Sequence, residues 1–105
     1  MSLKTAAQAA LAAIIAANPE AVLSIVANGN TASGLKDSVT GEAALGDGGE
    51  IGTVDGAVFC NADTIGALKA GQSITAGGAA ASVMRAETDP AGAVVRIEYQ
   101  LQKPK

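Results

Sequence analysis

The segment Val94–Leu101 alternates more cleanly than any other part of the chain. Val95, Ile97, Tyr99 and Leu101 fall on one face, and Arg96, Glu98 and Gln100 fall on the other. A period of two is what a half-buried strand requires, and a helix would scatter these apolar residues around its axis. Two turn signals precede this strand. Gly77-Gly78 suits a two-residue hairpin, because both central positions of a type I′ turn need positive φ. Asp89-Pro90-Ala91-Gly92 places proline where a type I turn wants φ near −65° and glycine at the exit. Together they predict a three-stranded antiparallel meander over 71–76, 79–88 and 93–102.

A chain that must close such a sheet has little bulk with which to do it. Phe59 and Tyr99 are its only aromatic residues among 105, and much of its apolar fraction is alanine. Each alanine removes little area from water, at roughly 25 cal/mol per Å². A small core follows, in a single domain that can gain stability from neighbours. The fold class expected is mainly β: a small antiparallel β-barrel or sandwich with an N-terminal helix and one short helical turn. The domain plan is an N-terminal helix over 1–19 and one β domain over 20–105, with a flexible loop near 31–49.

Residues 2–17 predict a helix, capped by Ser2 and stopped by Asn18-Pro19. Leu3, Ala7, Leu11, Ile14 and Ile15 share one face of it, with Lys4 and Gln8 beside them. A cleaved secretory signal is the rival reading, with Lys4 as its positive end and Ala9–Ala17 as its apolar core. The weak hydrophobicity of that core favours the helix. Glu20–Ala27 is a strand candidate followed by the tight-turn signal Asn28-Gly29. Thr31 to Gly49 is rich in Gly, Ala, Ser and acids, and reads as a long loop whose sizeable apolar residues are Leu35, Val39 and Leu45. Ile51–Val54 and Ala57–Asn61 predict short strands. Asp63 is the expected cap of a helical turn that runs through Leu68 and ends at Lys69-Ala70-Gly71, with Leu68 plugging the end of the sheet.

Reactive chemistry is sparse. Gly46-Asp47-Gly48-Gly49-Glu50-Ile51-Gly52 has neither the third glycine of a dinucleotide fingerprint nor the Gly-Lys-Ser/Thr of a phosphate loop. The acids Asp37, Glu42, Asp47, Glu50 and Asp55 lack the spacing of a calcium loop. Cys60 has no histidine anywhere in the chain to lower its pKa, so it reads as a core residue. Arg85 and Arg96 read as cross-strand partners of Glu87 or Glu98. The net charge of −3 opposes a sequence-independent nucleic-acid grip, and no apolar run is long enough to predict a membrane helix. No enzyme activity, cofactor or metal site is expected.

Val58-Phe59, Asp63, the run Leu68-Lys69-Ala70-Gly71-Gln72-Ser73-Ile74, Gly77-Gly78, the strand Ala81–Glu87, Asp89-Pro90-Ala91-Gly92 and the strand Val94–Leu101 follow one another in a telling order. In that order they resemble the small head–tail joining (head completion or stopper) proteins of long-tailed bacteriophages. The chain departs from that pattern at Gln72, where an acid is common, and at Ala79–Ala81, where larger side chains are usual. The resemblance implies a structural virion protein, assembled in the bacterial host cytoplasm. Several copies would form a ring between a portal or head connector and the tail, enclosing DNA without binding it specifically. On this reading the partner-binding residues are Leu35, Val39, Leu45 and Asp47 of the loop, with Leu11 and Ile15 of the helix. The alternative is a non-viral, secreted or surface β-domain that binds a ligand or partner.

Overall fold

A computed structural model of the chain describes residues 2–37, 42–45 and 50–102. It contains α1 (Leu3–Ala17), a 3-10 turn (Pro19–Ala21), β1 (Val22–Ala27), β2 (Asn30–Asp37), β3 (Glu42–Leu45) and β4 (Glu50–Thr53). After these come β5 (Gly56–Asn61), α2 (Ala62–Ile65), β6 (Ser73–Ala76), β7 (Ala79–Thr88) and β8 (Val94–Leu101). Six strands close a barrel in the order β1-β2-β5-β8-β7-β6, with β6 returning to β1. Every pairing is antiparallel. Closure removes the unpaired edges that an open sheet of this size would present. The expected fold class is the one observed, in its barrel form.

The closing meander forms as expected. Gly77 and Gly78 take φ of 59° and 84°, joining Ala76 to Ala79 in a two-residue turn. At the next turn the Asp89 carboxylate accepts from the backbone N–H groups of Ala93 (2.7 Å) and Val94 (3.2 Å). β7 carries a bulge between Val83 and Arg85, so Val83 and Met84 are both buried despite being sequence neighbours. On β8, Val95, Ile97 and Tyr99 face the core, but Leu101 does not and is 39% exposed. Leu101 is the last residue of the strand.

Ile25, Val58, Cys60, Ile74, Ala81, Val83, Val95, Ile97 and Tyr99 belong to one interior cluster. Val58 lies opposite Ile97 and Cys60 opposite Val95, so large residues meet across one strand pair. Elsewhere small residues make room: Ile25 lies opposite Ala32 on one side and Ala76 on the other. Gly56 lies opposite Tyr99, and an added methyl there would overlap the phenol.

Three expectations are corrected. The loop expected from Thr31 is strand β2 as far as Asp37. Its inward residues are Ala32 and Gly34, too small to give the hydrophobic alternation that marks a strand. Gly34 leaves room for Val58, whose Cβ an added side chain would crowd to 2.8 Å. Residues 42–45 and 50–53 pair as a two-stranded sheet of their own, β3-β4. Second, Asn61 rather than Asp63 caps the short helix, its side chain accepting from the Asp63 and Thr64 N–H groups. Helix α2 ends at Ile65, before Gly66 at φ 81°. Third, the plug at that end of the barrel is Ile65, which is wholly buried, while Leu68 packs partly buried against the cluster. Asn28 pins this end by donating to the Ile65 and Ala67 carbonyls at 3.1 and 2.8 Å.

Candidate partner-binding faces

β2 and β5 pair antiparallel, with Asp37 opposite Ala57. They would form an ordinary hairpin but for the excursion 38–55, which carries the β3-β4 pair. The excursion therefore enters and leaves at one mouth of the barrel. β5 runs from that mouth to Asn61, where α2 closes the other. The chain thus builds two chemically different ends.

Helix α1 sits against the α2 end. Ser2 caps it, its hydroxyl accepting from the Thr5 N–H at 3.1 Å. Its apolar face is only partly covered by the barrel. Leu11 is buried and Ile15 half-buried, but Leu3 is 77% and Ile14 46% exposed. Lys4 and Gln8, expected beside the apolar face, make the attachment. The Lys4 ammonium lies 2.9 Å from Asp63, and the Gln8 amide donates to Asn61 (3.2 Å), Asp63 (3.0 Å) and the Ala93 carbonyl (3.4 Å). Lys4 and Gln8 together hold the Asp63 carboxyl below its ordinary pKa. Beside this latch a groove of about 350 Å³ runs between helix and barrel, lined by Leu11, Ala12, Ile15, Ala16, Thr31 and Ser33 among others. Two expected partner-binding residues, Leu11 and Ile15, thus line one groove.

Leu35 lies elsewhere, on the outer surface of β2. It is opposite Phe59 of β5, which is opposite Arg96 of β8, which is opposite Glu87 of β7. The next row runs Asp37, Ala57, Glu98, Arg85. Between β8 and β7 the facing charges in these rows are opposite in sign. Arg96 meets Asp37 at 2.8 Å and Glu98 at 3.0 Å, and Arg85 pairs with Glu87. These ion pairs join Arg85 and Arg96 to the acids two residues on along their own strands, and Arg96 also reaches from β8 over β5 to Asp37 on β2. Asp37 above all, with Glu98, holds the Arg96 guanidinium more firmly protonated, against a smaller opposing effect of burial. Beside Arg96, Phe59, Pro90 and Val94 border a hollow of about 340 Å³ together with Glu87, Thr88 and Asp89.

Sequence reasoning passed over Phe59 as a surface residue. The signal was present: on a strand where Cys60 faces inward, alternation turns Phe59 outward. Asn61, Asp63, Lys4 and Gln8 gave no such signal, because their contacts join residues more than fifty positions apart. Val39 and Asp47 lie outside the described residues, and Leu45 ends β3.

Cys60 is fully buried, and burial raises its thiol pKa to about 12. It is held as a thiol in the core and is a poor nucleophile there. Among the described residues no group of three or more metal-ligating side chains occurs, and no helix is long and apolar enough to cross a membrane. No family model and no curated protein matches the chain.

Proposed function

We propose that this protein is a structural assembly component of a phage or prophage virion. On this reading it is a copy within a head–tail connector ring, joining a portal-type head connector to the tail. The observation that carries the reading is the order of elements over 56–101. A strand, a short helical turn, the run Leu68 to Ile74, a glycine hairpin, a strand, an acidic-glycine turn and a final strand follow the pattern of the phage joining proteins. Those elements supply four of the six barrel strands.

Two further features support it. The barrel has unlike ends, one bearing the 38–55 excursion and one bearing α1 and α2, as a part lying between two different partners needs. Its face beside Leu35 carries Phe59 and Arg96, an aromatic and an arginine side chain of the kinds enriched at protein interfaces. The chain's net charge of −3 lets a ring surround DNA without adhering to it. No catalytic step is assigned.

Light scattering over a concentration series, with and without a portal protein, tests the reading. Ring-sized masses at high concentration, or on adding portal, are expected. A monomer at every concentration that also fails to bind portal would overturn the assembly role and leave a ligand-binding β-domain as the better reading.

A further inference from the structure

We propose that α1 is an exchangeable arm, and that in the assembled protein the site beside α2 is occupied by the α1 of a second copy. This inference rests on the assembly reading and names the contact that would join the copies.

Three observations carry it. First, the docking site and its occupant are complementary, and every copy carries both. Asp63 offers a carboxylate to the Lys4 ammonium, while Asn61, Asp63 and the Ala93 carbonyl all accept from the Gln8 amide. These contacts are equally satisfied whether helix and barrel belong to one chain or to two. Second, the helix is lightly held. Of its fifteen residues only Leu11 is buried, and the groove of about 350 Å³ remains beside it. Third, the connection to the barrel lies at the surface. Residues 18–21 have no buried side chain, and they link the helix to β1 through Asn18 and a single 3-10 turn at Pro19. An arm leaving its own barrel would uncover little that is apolar. Arriving at the next, it would bring the exposed Leu3 and Ile14 to the junction between two molecules.

Two cysteine positions on opposite walls of the groove, Ala12 on the helix and Ser33 on β2, test the exchange without touching the latch. Buried Cys60 does not compete for the reagent. Differently tagged Ala12→Cys and Ser33→Cys chains are mixed and treated with a short bis-maleimide, and a mixed product that grows with concentration is expected. The double variant Ala12→Cys/Ser33→Cys, linked within one chain in dilute solution, should then stay monomeric where the parent associates. Should the linked chain assemble as readily as the parent, or should the parent assemble with no mixed product, the exchange is wrong and the ring reading stands. A parent that neither associates nor gives mixed product, with or without portal, removes both.

Discussion

At the scale of single residues, this barrel is closed by absences as much as by bulk. Tyr99, 9% exposed, is the only aromatic side chain in the interior cluster, and it fits because Gly56 opposite it has no side chain. Gly56→Ala should therefore lower stability by about 1–3 kcal/mol, the usual cost of forcing extra volume into a packed interior, in urea melts followed by circular dichroism. An unchanged midpoint would mean that Tyr99 can swing clear. Phe59 makes the opposite case, since it lies on the outer surface. Ile97→Ala should cost about 2–5 kcal/mol, as truncations of buried aliphatics do. Phe59→Ala, despite removing a larger side chain, should melt close to the parent and instead weaken association in light scattering. If Phe59→Ala proved as damaging as Ile97→Ala, the outer face would be part of the core rather than a surface for partners.

At the scale of elements, legibility in the sequence followed side-chain size. The meander β6-β7-β8 could be read because Val95, Ile97 and Tyr99 alternate and because Gly77-Gly78 and Asp89-Pro90 mark its turns. β2 could not be read, because what it turns inward is Ala32 and Gly34, and its bulk comes from Val58 across the pair. α1 was legible as a helix but its attachment was not, because alanine all around it leaves the buried side to two polar residues and Leu11. Burying Leu11 contributes about 1.5–3 kcal/mol, and the solvent-exposed Lys4–Gln8–Asp63 latch sets the helix's orientation more than its strength of attachment. The Asp63 carboxyl titrates below its ordinary value when docked, held there by Lys4 and Gln8. A depressed folded-state pKa means the latch is complete above the unfolded value, near pH 4, and weakens as pH falls through the lower docked value. Chemical shifts of the Gln8 side-chain amide should move toward solvent values in that acid window. In Asp63→Asn the same shifts should lose their pH dependence; a persisting titration would assign it to another carboxylate.

At the scale of the whole molecule, the barrel and the excursion between β2 and β5 are separable parts. Every strand pairing that closes the barrel runs among β1, β2, β5, β6, β7 and β8, whereas β3 and β4 pair with each other. The excursion's downstream end is held to the barrel by contacts of its own. Val54 is buried, the Asp55 N–H donates to the Tyr99 carbonyl at 2.9 Å, and the Leu101 N–H donates to the Asp55 carboxylate at 2.7 Å. Loop closure changes by only about 0.6 kcal/mol per doubling of length. Replacing residues 39–52 with a short Gly-Ser linker, leaving Val54 and Asp55 in place, should therefore leave the barrel's melting within about 1 kcal/mol of the parent. The same replacement removes Val39, Leu45 and Asp47, three of the residues expected to meet a partner. Assembly or portal binding should be lost while the barrel stays folded, which light scattering and circular dichroism on one sample can separate. A variant that assembles like the parent would shift the partner contacts to the Leu35–Phe59–Arg96 face and the α1 groove. One that unfolds would make the excursion a structural part of the barrel, and its role in assembly would then have to be tested by point substitutions within it.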